Sequence, residues 1–418
     1  MASLLPRLLA GATAQGMSLS EHLALHGHPE ALDGPTLIAE VERAGLRGRG
    51  GAAFPTAAKM AAVAASRRPA IVVVNGAEGE PASDKDALLL ASVPHLVLDG
   101  AEFAAQAVGA REAIVCLRAG AESAHARVKR ALGERGRSRV RFRLVPTPDA
   151  YLAGEESALV RFLNGGPPKP TFVPPRPYER GVGRRPTLVQ NVETLAHLAL
   201  IARHGADWFR EVGTDAEPGS TLVTLTGAVL HPGVYEIEAG VPLRELVEAA
   251  GGLLDEPRAI LLGGYFGSWV DARELPGLVL ERQRLLALNA SLGSGVIFVL
   301  PERACGVAES ARALAYMARE AAGQCGPCTN GLPAIADGFA RVARGLAERS
   351  IGQDIQRWSA LVHGRGACHH PNGAARLAVT AVDVFADELE EHRDAGPCPR
   401  CSALPVLPVA EPSPRAVA

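Results

Sequence analysis

Ile71-Val-Val-Val-Asn75-Gly-Ala-Glu-Gly-Glu-Pro81 is the stretch on which the fold of the first half of this chain turns. Its β-branched run, Ile71–Val74, predicts a short buried strand. The strand leads straight into a turn rich in glycine and acid. Outward from it, residues 87–110 and 120–135 carry helical patterns, while Ala113–Leu117 and Val140–Val145 read as further strands. Strands alternating with helices predict a mainly parallel α/β sheet. Ligands bind such open sheets at the carboxyl ends of the strands. Asn75, Glu78 and Glu80 stand at one of these ends, Asn75 suited to a heterocycle edge and the carboxylates to ribose hydroxyls or a nicotinamide amide. A solvated acidic turn accounts for the same residues.

On the N-terminal side, residues 18–46 have helical spacing, and Gly45-Leu-Arg-Gly-Arg-Gly-Gly-Ala-Ala-Phe-Pro-Thr56 follows. Glycines let backbone N–H groups approach a ligand closely. A helix beginning at Thr56 aims its positive end at an anion, and Arg47, Arg49 and Lys59 supply cations that pair with phosphate. On the C-terminal side, Tyr151-Leu-Ala-Gly-Glu-Glu156 adds a second acidic pair beside a glycine turn. The Pro-, Gly- and Arg-rich segment 164–186 reads as a long ordered loop before a helix near Val192–His204.

The texture changes near Pro218. Thr221–Val229 and Gly233–Ile237 are β-rich and flank the turn His231-Pro232-Gly233. A short helix, Leu243–Ala250, closes at Gly251-Gly252. Strands Ala259–Leu262 and Val296–Leu300 complete a small α+β unit. From Ser310 the pattern is helical, over 310–322, 331–347, 352–363 and 374–392. Residues 403–418 carry four prolines and no periodicity, which predicts a disordered tail.

At roughly 100–200 residues per domain, 418 residues make two to four domains. A composition 47% hydrophobic and 21% charged excludes a disordered chain. A net charge of −2 leaves no basic field for nucleic acid or an anionic membrane. No apolar run approaches the roughly 18 residues of a membrane span, and Arg7 interrupts the apolar start, so no signal peptide is expected. A soluble cytoplasmic protein is the expectation. Only four of the 43 basic residues are lysines, Lys59, Lys85, Lys129 and Lys169, so each lysine stands out.

Six of the seven cysteines crowd the last third: Cys305, Cys325, Cys328, Cys368, Cys398 and Cys401. In a large cytoplasmic protein this points to metal or redox chemistry more than to disulfides. Cys325-Gly-Pro-Cys328 with Cys368 suits an iron–sulfur cluster, and equally tetrahedral zinc. A thioredoxin-type dithiol is a third reading; the motif follows a helix instead of a strand. His392 with Cys398-Pro-Arg-Cys401 forms a further set, able to lend a ligand to the cluster, bind zinc or act as a redox pair. His369 and His370 are minor alternatives.

In this order and spacing, these motifs resemble the NADH-binding, flavin-carrying F-type subunits of respiratory complex I and the related flavin subunits of hydrogenases and formate dehydrogenases. The carriers are the glycine loop with Lys59, Asn75–Pro81 with Lys85-Asp86, Tyr151–Glu156, Asn191-Val-Glu-Thr-Leu195, Leu292-Gly-Ser-Gly295, Gly323–Cys328 and Cys368. The resemblance implies an α/β domain over 1–215 that binds FMN and NAD(P)H, a β-grasp domain of the SLBB type over 218–300, a helical bundle with a [4Fe–4S] site over 302–395, and a mostly disordered tail over 396–418. It implies FMN contacts at Gly48, Arg49, Gly50, Gly51, Lys59, Asn75, Glu78, Tyr151, Gly154, Glu155, Gln190 and Asn191. NADH would stack near Phe54 and meet Glu80 and Glu156, the two residues expected to act in catalysis. The cofactors would carry the bond chemistry, and a separate one-electron acceptor, such as a ferredoxin or a thioredoxin-like [2Fe–2S] subunit, would take the electrons.

The chain departs from the family pattern at five places, one of them an aromatic position near Ala62. Ala77 replaces an acidic residue and Ala53 a glycine. Arg176 replaces an aromatic that stacks on the adenine, which leaves both NADH and NADPH as donors. Ala322 replaces the first of four cluster cysteines. Cys325, Cys328 and Cys368 remain as expected ligands, with Cys398 as the expected fourth. Two rival functions stay open: a scaffold that has lost flavin or cluster, and a dithiol oxidoreductase acting through Cys325 and Cys328.

Overall fold

A computed structural model describes residues 5–28, 32–66, 68–136 and 138–409. Strands β1 (Ile71–Gly76), β2 (Glu112–Arg118), β3 (Arg141–Thr147) and β4 (Thr187–Asn191) form the first sheet. All are parallel, in the order β3-β2-β1-β4. The chain steps outward from β1 to β3, then crosses back to the far side of β1. The direction of winding therefore reverses between β1 and β4, the point at whose carboxyl ends such sheets bind ligands. The run Ile71–Val74 is buried on both faces: Val72 and Val74 join the core under helices Pro94–Ala107 and Val192–Arg210, and Ile71 and Val73 join the core under helix Glu156–Leu163. Cys116, the isolated cysteine, is a packed core residue of the second face.

The single helix expected over 18–46 is two, Leu19–His26 and Gly34–Ala44. Gly27 ends the first with a positive φ, and Asp33 caps the second by accepting the Thr36 N–H; residues 29–31 of the expected helix lie outside the described chain.

The second sheet contains β5 (Ser220–Gly227), β6 (Gly233–Glu238), β7 (Pro257–Leu262), β8 (Ser268–Asp271) and β9 (Val296–Pro301), in the order β6-β5-β9-β7-β8. The central β5 and β9 are parallel and the other pairs antiparallel. Alternate residues face opposite ways along a strand, and both faces are buried here. Ile260, Leu262, Ile297 and Val299 pack on helix Leu243–Ala249. Ala259, Leu261, Phe298 and Leu300 pack on the helices that follow. The α+β unit and the helical bundle thus share a core.

The bundle contains helices Gly306–Arg319, Leu332–Ala343, Ile351–Val362, His370–Val384 and Ala386–Ala395. The last two replace one expected helix. The break falls at Phe385, which is buried against Trp269 with ring centroids 5.2 Å apart. Within 403–409, expected to be disordered, Val406–Val409 are held against the bundle, while Leu404 is exposed. The Val406 and Leu407 N–H groups donate to the Glu309 carboxylate at 3.2 and 2.9 Å, Leu407 is buried, and the Tyr265 hydroxyl donates to the Pro408 carbonyl at 3.0 Å. Only 410–418 of that expected tail lie outside the described residues.

Among the described residues no single helix is long and apolar enough to cross a membrane. One bent pair, Lys85–Ser92 with Pro94–Ala107, passes by length and composition, but its apolar residues lie in the core of the first domain.

Candidate functional site

Asn75 and Asn191 are register partners at the ends of β1 and β4. Asn75 Nδ2 donates to the Gly154 carbonyl at 2.8 Å, tying the strand end to the turn at 151–154. Asn191 Oδ1 accepts the Glu193 N–H at 2.9 Å and so caps helix Val192–Arg210; its Nδ2 donates to Asp86 at 2.6 Å. The glycine loop lies over this pair. It is pinned where Gly48 N–H meets the Phe54 carbonyl at 2.9 Å and where Arg49 N–H meets Thr194 Oγ1 at 2.9 Å. Gly51, with φ +106°, takes the loop past the backbone of Gly293 in the second domain, a conformation that disfavours a side chain. Ala53 has φ +50°, so the residue standing where the family has glycine is held in left-handed backbone. Beyond it Phe54 is 55% exposed.

Among the described residues, two buried polar atoms at this strand end have no protein partner: Arg49 Nε and Gln190 Nε2. A buried unpaired donor is costly unless a ligand meets it, so a glycine-lined turn with two unpaired donors fits a phosphorylated, polar heterocycle such as FMN. Lys59 Nζ donates to the Val189 carbonyl on the edge strand β4 and pairs with Glu156, both at 2.9 Å. Lysine and the second expected catalytic carboxylate thus meet at one place.

Glu80 is 7% exposed. Its Oε2 accepts the Tyr151 hydroxyl at 3.0 Å and the Tyr265 N–H at 2.8 Å, while Oε1 is buried without a partner. Burial pushes its pKa up to about 7, against the lowering effect of those donors. Gly79 is required beside it, because a Cβ there would sit 2.2 Å from the Tyr151 carbonyl oxygen.

Two expected flavin contacts have other partners. Glu78 accepts the Ser83 hydroxyl and the Asp86 and Ala87 N–H groups, at 2.7–2.9 Å, so both its oxygens serve the start of helix Lys85–Ser92. Burial, then the charge of Asp86, raises its pKa. Glu155 accepts the Ala158 N–H at 2.9 Å and caps helix Glu156–Leu163. Short acidic turns ahead of helices offer those N–H groups a carboxylate at close range.

Residues from the recognised motifs also hold the domains together, through partners that the sequence patterns did not single out. Lys85 is buried between Asp86 and Glu193, at 2.7 and 2.8 Å. Glu193 also accepts the Thr221 hydroxyl and the Leu222 N–H, both at 2.9 Å, which ties β5 to the first domain. Tyr151, at the turn, donates its N–H to Glu320 at 2.9 Å and packs its ring on Phe266, Tyr316 and His370. Glu193 lay inside a recognised motif, but no spacing showed what it would touch. Tyr265 and Glu320 carried no signal.

The cysteine loop abuts the same turn. Gln324 donates to the Pro170 carbonyl at 2.7 Å and accepts from Arg161 at 2.9 Å. Cys325 and Cys328 Sγ lie 3.6 Å apart, and the charges of Cys325 and Glu155 both reach Cys368. Burial raises the Cys325 thiol, but N–H donors from Ala367 and Cys328 outweigh it and leave the pKa below its ordinary value; burial and Cys325 push Cys328 up to about 11. These three thiols, one favouring the thiolate, are the ligand type that an iron–sulfur cluster takes. The fourth family position, Ala322, is buried and has no ligand atom.

Cys398 does not complete this set. It stands with Cys305, His392 and Cys401, whose ligand atoms all lie within 4.8 Å of one another. The turn Pro399–Ser402 folds back on the start of the bundle, which the spacing of 398 from 368 could not reveal. His370 Nε2–H donates to the Met317 carbonyl, 2.7 Å away. A cleft of about 630 Å³ is lined by Ser157, Arg161, Phe172, Arg180 and Arg184 among others, none an expected flavin contact.

Comparison with known proteins gives three matched regions. Residues 41–200 match the Nuo51 FMN-binding domain, 222–264 the SLBB domain, and 308–392 the NADH-ubiquinone oxidoreductase-F iron–sulfur binding region. The second F-type subunit of the NADH-quinone oxidoreductase of Rhizobium meliloti (strain 1021) is 32% identical over 379 residues, covering 87% of this chain and 90% of that protein. The HndC subunit of the NADP-reducing hydrogenase of Solidesulfovibrio fructosivorans is 29% identical over 410 residues, covering 93% and 83%. The crystal structure of an NAD+-reducing [NiFe]-hydrogenase in the air-oxidized state superposes with a TM-score of 0.81 at 31% identity, over 92% of this chain and 66% of that one.

Proposed function

Because the chain belongs to the family of NADH-oxidising F-type subunits that carry FMN and an iron–sulfur cluster, we propose that the carboxyl ends of β1 and β4 form its flavin site and that Cys325, Cys328 and Cys368 hold its cluster. The observation that carries this reading is the pair of unpartnered buried donors, Arg49 Nε and Gln190 Nε2, beneath a pinned glycine loop at the winding reversal. When bound, FMN supplies the exchange between a two-electron hydride from NAD(P)H and single electrons, and the cluster supplies a one-electron store.

The protein positions and excludes water. Backbone N–H groups of Gly48–Gly51 and the Arg49 guanidinium take the phosphate end. Lys59, Asn75, Gly154, Gln190 and Asn191 surround the ring end, with Glu78 and Glu155 acting through the helix starts they cap. Phe54, exposed at the loop's rim, offers a stacking face to the nicotinamide donor. Glu80 presents its unpartnered Oε1 to that donor, and its pKa of about 7 lets it hold or release a proton near neutrality. Glu156, beside Lys59, contacts the donor's polar groups. Tyr151 joins the Glu80 loop to Glu320 and His370, hence to the cysteine loop, which keeps flavin and cluster sites in one rigid contact.

Arg176 is exposed in the long loop and stands ready for a 2′-phosphate, so NADPH is the second donor to test. A separate one-electron carrier, a ferredoxin or a thioredoxin-like [2Fe–2S] subunit, is the partner this reading requires. The visible spectrum of anaerobically purified protein, with chemical iron and sulfide and EPR after NADH addition, tests it. Flavin absorbance, iron with matching sulfide and dye reduction by NADH are the expected results. A colourless protein without NADH-dependent dye reduction would refute it and favour the scaffold reading.

A further inference from the structure

Four ligand-type side chains lie outside the flavin and cluster sites and have no part in them. Cys305 comes from the start of helix Gly306–Arg319, His392 from helix Ala386–Ala395, and Cys398 and Cys401 from the turn after it. Cys305, His392 and Cys398 are buried and Cys401 is half-buried. His392 Nε2 lies 3.6 Å from Cys305 Sγ and 3.5 Å from Cys401 Sγ, and the Sγ atoms of Cys398 and Cys401 are 3.8 Å apart. A tetrahedron with zinc–sulfur bonds of about 2.3 Å and a zinc–nitrogen bond of about 2.0 Å has sulfur–sulfur edges of about 3.8 Å and sulfur–nitrogen edges of about 3.5 Å. The three observed edges match those lengths. They are too long for a disulfide, whose sulfurs stand about 2 Å apart.

The surroundings are those of a ligand set. His392 Nδ1 is 3.2 Å from the Val342 carbonyl, an acceptor that fixes the N–H on Nδ1 and turns the Nε2 lone pair toward the thiols. Cys305 Sγ accepts the Ala308 N–H at a helix start; burial and the Glu388 charge raise its pKa, and a coordinated metal ion deprotonates such a thiol outright. Glu388, whose Oε2 is 3.3 Å from Cys305 Sγ, is held by Arg258, with Arg400 3.8 Å away. A divalent cation would offset most of the charge of three thiolates, and the guanidiniums of Arg258 and Arg400, which also pair with Glu302 and Glu391, offset the carboxylate.

We propose that Cys305, His392, Cys398 and Cys401 bind one zinc ion in a closed Cys3His site that fastens the C-terminal segment to the start of the helical bundle. All four positions are filled by protein, as in structural zinc sites; a catalytic site keeps one open. Imidazole with thiolates suits zinc over magnesium or calcium. What the ion fastens reaches the flavin domain: the segment it closes carries Pro408, whose carbonyl takes the Tyr265 hydroxyl, and the Tyr265 N–H holds Glu80. The site stands independently of the flavin reading, since none of its ligands touches those strand ends.

The test is metal content and zinc-edge X-ray absorption of the full-length protein, purified without added metal or chelator. One zinc per chain is expected, with three sulfur neighbours at about 2.3 Å and one nitrogen at about 2.0 Å. Cys401→Ser and Cys398→Ser should lose the zinc and Cys325→Ser should keep it. A zinc-stripping chelator should open the segment to trypsin at Arg393 and Arg400. Absence of zinc, iron at this site, or zinc that leaves with Cys325→Ser and stays with Cys401→Ser would overturn the assignment. If the serine variants do not fold, the wild-type absorption spectrum decides alone, because a shell without three sulfurs and one nitrogen excludes these ligands.

Discussion

Glu80→Gln should make the protein more stable at pH 8 and leave it nearly unchanged at pH 4.5. The Glu80 carboxyl is buried, with its pKa raised from 4.5 to about 7. A raised folded-state pKa means that the native state binds the proton more tightly than the unfolded chain does. Its contribution is therefore fully present below about pH 4.5 and is lost as pH rises through 7. A carboxyl moved from 4.5 to about 7, at 1.36 kcal/mol per unit of pH, amounts to about 3 kcal/mol across that window. Glutamine keeps a carbonyl oxygen for the Tyr151 hydroxyl and the Tyr265 N–H, which both meet Oε2, and it carries no charge to bury. The assay is thermal or denaturant unfolding of both proteins from pH 4.5 to 8, read as the difference between them so that other titrating groups cancel. A difference that grows toward alkaline pH by about 3 kcal/mol in favour of glutamine is expected. A difference independent of pH, or growing the other way, refutes a buried carboxyl at this position. The same variant should lose NADH-dependent dye reduction, since it cannot release the proton.

Three further outcomes follow from the geometry. Glu193→Ala strips Lys85 of one of its two buried partners and leaves the Leu222 N–H without an acceptor; a loss of about 3–5 kcal/mol is expected in denaturant melts, with Glu193→Gln retaining part of it. Ala53→Gly relieves left-handed backbone at φ +50° and should be neutral to stabilising by about 1 kcal/mol, with flavin retention improved in dialysis; a clear loss of stability would show that the Ala53 methyl group packs. Cys328→Ser should abolish the iron signal while leaving flavin absorbance in place, because the cysteine loop and the glycine loop come from separate parts of the chain.

The parallel sheet was legible because Ile71–Val74 is β-branched and unbroken, which only a strand buried on both faces uses well. The β-grasp unit was legible from the His231-Pro232-Gly233 turn between two β-rich runs; β8 was not, being only four residues long after Gly267. The glycine loop, Asn75, Lys59 and the Asn191 motif stood out by residue type, and they gather at one sheet edge. Glu78 and Glu155 stood out for the same reason, yet they serve helix starts. Residue type alone cannot separate a carboxylate that waits for a ligand from one that already holds backbone N–H groups.

The order of the three units, the glycine and acidic turns, and the loss of the first cluster cysteine at Ala322 are all written in the linear chain. Those are local facts, carried by composition and short spacing. Where the distant groups meet is a property of the folded molecule: Glu193 on β5, Tyr151 on Glu320, the 406–409 segment on Glu309, and Cys305 with His392, Cys398 and Cys401. A thiol 93 residues from its partner (Cys305 to Cys398) carries no spacing signal. Only the packing of the helices on the second sheet brings such groups within a bond length of one shared point.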